Sequence, residues 1–123
     1  MYAQDLFEYI ASNTSLTIGV DWFYNYVPNE SKVGLTLSLE GGDRNESGLN
    51  VLGLKLRGFF PSSAEAEQKI YEVYDFLVHS NGFTLPTGRI FNITSMQAPG
   101  FVGLDQNENT IYTAALTMYA DRR

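Results

Sequence analysis

One histidine, no cysteine and a scatter of carboxylates give this chain few groups that could converge on a reaction. His79 falls in the last turn of an expected helix, where an imidazolium suits the helix dipole and can bond free carbonyls, so a capping role outweighs general-base work. A thiol nucleophile, a Cys-based zinc site and a disulfide framework are excluded by composition, and a lone His makes a transition-metal site a poor reading. The run Gly41-Gly42-Asp43-Arg44-Asn45-Glu46-Ser47-Gly48 is glycine-rich, yet it lacks the Gly-Lys-Ser/Thr ending of a phosphate loop, does not lead into a helix, and carries two carboxylates that would repel phosphate. Neither this run nor Asp105-Gln106-Asn107-Glu108-Asn109 has the spacing of a calcium-binding EF-hand loop. With no paired acid and base, the chain reads as a non-enzyme without a cofactor.

Binding chemistry is better represented. The cluster Trp22-Phe23-Tyr24-Asn25-Tyr26 either completes a core or anchors an interface, since Trp and Tyr dominate interface hot spots. The polar stretches 40–48 and 98–109 read as long loops, the places on a rigid sheet where partner contacts are commonly carried. Fourteen acidic against eight basic residues give a net charge of -6, and no basic cluster exists to displace counterions from nucleic acid.

The elements that must position these residues follow from periodicity. Ser62 with Glu65 forms a capping-box pattern after Pro61, and Ala66, Ile70, Val73 and Leu77 share one helical face, so 62–82 reads as one long helix closing at Asn81-Gly82. Tyr71, Tyr74 and Val78 make a second apolar seam, covered either by the N-terminal helix or by another subunit. Residues 2–12 form that first, short helix. Leu16–Tyr26 reads as a short strand and an aromatic loop, Val33–Leu39 and Leu49–Phe60 as a hairpin with an overlong tip, and Arg89–Gln97 and Thr110–Ala120 as two further strands. The expectation is a single α+β domain over residues 1–123: a mostly antiparallel, four- to five-stranded sheet with one long helix packed across it and a short N-terminal helix. The opening MYAQDLFEYIA does not read as a secretory leader, and no apolar stretch is long enough for a membrane span. The N-x-Ser/Thr sequons at Asn13, Asn29, Asn45 and Asn92 therefore read as chance matches.

The order of elements, together with Ala64 through Tyr71-Glu72-Val73-Tyr74, Arg89 through Pro99, Gly103-Leu104-Asp105 and Ile111-Tyr112 with the final strand, resembles the small tail terminator proteins of long-tailed, siphovirus-like bacteriophages, often labelled minor capsid proteins. The letter-level likeness sits in residues 64–120; the aromatic 22–26 segment departs from it. The resemblance implies a virion protein at the head-proximal end of the tail, assembled in the host cytoplasm. It implies a homo-hexameric ring that caps the tube, stops polymerisation of the tail tube protein and meets the head-tail connector or neck proteins. DNA would pass through without specific binding, and no membrane would be involved. On that reading Trp22, Tyr24, Tyr26, Tyr71 and Tyr74 are interface candidates, and Asp43, Arg44, Glu46, Asp105 and Glu108 are candidates for loop contacts or an acidic lumen that repels DNA. A head-side completion protein of the neck and a small-ligand-binding α+β domain with an aromatic pocket are the competing functions.

Overall fold

The computed structural model describes residues 2–25, 33–44, 49–80, 82–86, 88–105 and 108–121. Helix α1 (Tyr2–Asn13) is followed by strands β1 (Trp22–Tyr24), β2 (Gly34–Arg44) and β3 (Leu49–Phe60), helix α2 (Ser63–Val78), and strands β4 (Phe83–Leu85), β5 (Gly88–Leu104) and β6 (Thr110–Asp121). The strands form one six-stranded sheet in the order β1-β2-β3-β6-β5-β4. All neighbours are antiparallel except β1 and β2, which run parallel with Trp22 opposite Leu35.

This corrects the expected architecture. Among the described residues the fold is mostly β, with 54% in strands and 27% helical, and its sheet is a curled, mixed half-barrel with two helices. Three physical reasons account for the difference. β1 pairs with β2 in parallel, which alternation along one strand cannot reveal. β4 is only three residues long, too short to carry a periodic signal. And β5 continues for 17 residues through Ala98-Pro99-Gly100, which has the composition of a loop. Pairing with β6 carries it past these residues by shifts of register between Gln97 and Gly100 and between Phe101 and Gly103. Proline, lacking an N–H, is tolerated at such a bulge on a strand with an open edge. The 40–48 tip is shorter than expected for the same reason: β2 runs on to Arg44 with a register shift between Glu40 and Asp43, where Gly41-Gly42 lies.

The helices follow the sequence more closely. Ser62 caps α2 by accepting from the Glu65 N–H at 3.2 Å, and Ala66, Ile70, Val73 and Leu77 are buried. They pack over β3, β6 and β5, against Leu54, Leu56, Leu116, Met118 and Ile93. The helix stops at Val78 with His79 as its C-cap, short of the expected close at Asn81-Gly82; Asn81 lies outside the described residues, and Gly82 turns the chain with φ 94°. α1 touches both β2 and β4, so the two flanks of the sheet curl toward the same helix. Phe7 stacks on Trp22 with ring centroids 5.1 Å apart, and Tyr9 stacks on Phe83 at 4.3 Å. A helix of 12 residues is marginal alone, and these two aromatic contacts dock it.

Candidate functional site: the two flanks of the sheet

The aromatic segment divides sharply. Trp22 is fully buried, stacked on Phe7, with its indole N–H donating to the Phe7 carbonyl at 2.9 Å. A side chain so satisfied has no surface to give a partner, so Trp22 is a core residue, not an interface anchor. Phe23 is buried too, its ring close against Gly34; a Cβ there would lie 2.6 Å from Phe23 Cε2, which is why residue 34 has no side chain. Tyr24 remains exposed at the end of β1, edge-on to Phe7 at 6.1 Å. Tyr26 lies outside the described residues.

The second seam of α2 is half-covered by the chain itself. Tyr71 and Tyr74 meet edge to face at 5.9 Å, and the Tyr74 hydroxyl donates to Ser95 Oγ on β5 at 2.5 Å. Tyr71 lines an open depression of about 460 Å³ with Ala64, Glu67 and Gln68. On the other side of the helix, Glu72 accepts from both the N–H and the hydroxyl of Ser15 at 2.6 Å, while Lys69 pairs with Asp21 at 3.6 Å. These contacts tie the 14–21 connection to α2. His79 Nδ1 lies 2.9 Å from the Asp75 carbonyl, a capping geometry at the end of the helix.

The acidic candidates do not gather. Asp43 and Arg44 sit on β2 at the level of Val51 and Asn50, near the Ile90 end of β5, whereas Asp105 and Glu108 follow Leu104, at the level of Thr110 and Phe60. The two groups occupy opposite ends of the strands. Asp105 also closes its own turn. Its carboxylate accepts from the Asn109 backbone N–H at 2.9 Å and from the Asn109 amide at 3.2 Å, around the bend in which Glu108 takes φ 62°. Glu46 lies outside the described residues. Among the described residues no group of three or more His, Cys, Asp or Glu is placed to hold a metal ion, and no helix is long and apolar enough to cross a membrane.

What sequence reasoning missed is the distribution of exposed apolar side chains. Ile18, Val20 and Tyr24 stand exposed at the β1 flank, Val20 at 66%. Met96, Phe101, Val102 and Leu104 stand exposed on β5, at the other flank. β4 pairs with β5 only over Gly88–Ile90, so among the described residues no strand covers the outer edge of β5 from 91 to 104. Such an edge, apolar and unpaired, is a template for another chain. The distal part of β5 has the composition of a loop, and its apolar residues carry no alternation because the register shifts move them from face to face; only the apolar letters Phe101-Val102-x-Leu104 hint at it.

No protein-family model matches the chain, and comparison with curated proteins finds no significant match.

Proposed function

We propose that this chain is a structural assembly protein of a long-tailed phage, closing the tail tube as a six-subunit ring in the sense implied by the resemblance of residues 64–120, ending tube polymerisation and offering the surface to which the DNA-filled head docks. The observation that carries this reading is the pair of exposed apolar flanks on one sheet. A surface of that kind is built to be covered by protein, and two separate patches on one subunit serve a repeating contact better than a single binary one. The partners in this reading are further copies of the chain, the tail tube protein and the connector or neck proteins. A pocket for a small ligand draws less support: Trp22, the aromatic that would have lined it, fills its own space against Phe7.

Electron microscopy of a lysate from phage carrying an early stop codon in this gene tests the reading. Overlong, headless tails are expected, because the tube would grow past its normal end. Tails of normal length lying beside separate filled heads would move the protein to the head side of the joint, and complete virions would remove the assembly reading.

A further inference from the structure

Resting on the ring reading, we infer that the β1 flank of one copy, through Ile18, Val20 and Tyr24, docks on the distal β5 flank of the next copy, through Phe101, Val102 and Leu104, in a head-to-tail contact. Three features of the sheet select a second copy as the occupant. First, the two patches lie at one level along the strands: Trp22 is opposite Leu35, Leu35 opposite Gly58, Gly58 opposite Tyr112, and Tyr112 opposite Phe101. A neighbour placed beside the sheet without sliding along it therefore brings patch to patch. Second, the directions agree. β1 runs with β2, and three successive antiparallel pairings reverse β5 relative to β2, so the two flanks meet antiparallel; the outer edge of β1 is already bridged by Ile18 at Trp22, whose carbonyl accepts the Gly19 N–H at 3.0 Å, so the contact is made by side chains and not by a new ladder. Third, the patches are matched in kind. Each is aliphatic with one aromatic ring, and each aromatic is already steadied from within its own subunit, Tyr24 by Phe7 and Phe101 by Tyr112, both at 6.1 Å. Little side-chain order remains to be imposed on association.

Because the two patches are different surfaces, the contact is heterologous, and an open oligomer keeps one patch free at each of its ends until a ring closes. That property supplies the test. The exposed valines Val20 and Val102 are replaced separately by Asp, in the full chain, and association is followed by sedimentation velocity up to the solubility limit, with circular dichroism and urea melts confirming that each variant is folded. Wild type is expected to self-associate with rising concentration. V20D and V102D should each associate about 30-fold or more weakly, the loss typical of a charge placed in an interface hot spot. Mixed together, they should form a one-to-one dimer that grows no further, since V20D retains its β5 patch and V102D its β1 patch.

A cross-linking experiment uses the absence of native cysteine. Val20→Cys and Val102→Cys chains, mixed and treated with a short bismaleimide, should yield the mixed pair in preference to either self-pair. A wild type that stays monomeric to the solubility limit with no mixed cross-link would overturn the inference. So would association lost in only one of the two Asp variants, or a predominant self-pair from Val102→Cys alone, which would mean β5 pairing with β5. The stop-codon lysate reports separately: overlong tails with no flank contact leave termination standing without this interface, and a flank contact with normal tails leaves the interface without termination.

Discussion

The two halves of β5 are one continuous strand in two different environments. Over its first part, Ile90 and Ile93 are buried beneath α2, and β4 covers the outer edge from Gly88 to Ile90. Over its second part, from Met96 to Leu104, the large side chains lie exposed, no described strand covers the outer edge, and the only regular support is the ladder to β6. The first half is held by burial, at roughly 25 cal/mol per Å² of apolar surface removed from water. The second half is held chiefly by backbone pairing, with the edge contact of Phe101 on Tyr112 beside it. The difference teaches that strand length in this sheet is set by pairing, while stability is set where a helix closes over it.

On that division, substitutions in the covered region should be costly and those on the open half of β5 nearly silent in the isolated subunit. The largest effect is expected for Trp22→Ala, which opens a cavity, strips Phe7 of its stacking partner and removes the indole N–H from the Phe7 carbonyl: a loss of about 3–5 kcal/mol in urea unfolding. Gly34→Ala comes next. The added methyl must displace the buried Phe23 ring, and overpacking of this kind costs about 1–3 kcal/mol. Ser62→Ala removes the hydroxyl that accepts from Glu65, for about 1 kcal/mol by the same melts, and Ser62→Thr should restore most of it. Val102→Ala, on the open half, should change monomer stability by less than about 0.5 kcal/mol. A cost above about 2 kcal/mol at Val102 would break the contrast between the two halves, because losses of that size come from a core side chain.

Legibility in the sequence follows the same division. The buried face of α2 is readable in full, since Ala66, Ile70, Val73 and Leu77 keep helical spacing and Ser62 announces the start. The alternation of Leu54 and Leu56 with Lys55 and Arg57 marks β3 correctly, because one face meets a helix and the other does not. Where alternation breaks, the reading breaks with it. The register shift between Ile90 and Asn92 puts Ile90 and Ile93 in the core together, an odd spacing that no flat strand allows. Beyond Gln97, glycine, proline and exposed apolar residues give the composition of a loop to a stretch that is paired throughout. The parallel β1–β2 pairing has no local signature. Of the candidate site residues, Trp22 is ambiguous in sequence because its letter alone does not say whether its N–H is needed inside. The acidic residues group by charge, although the topology sends them to opposite ends. Tyr24 is the one aromatic of its segment placed on the surface among those described.

The four register shifts along β5 carry a last consequence, concerning what the open edge refuses. Amyloid-type stacking asks for identical flat strands repeating at about 4.8 Å, each offering an unbroken row of bonding groups to the next. An edge bent four times, and lacking one N–H at Pro99, cannot be copied in that way. The open edge of β5 is therefore a poor template for fibre-type stacking, for all the apolar side chains it exposes.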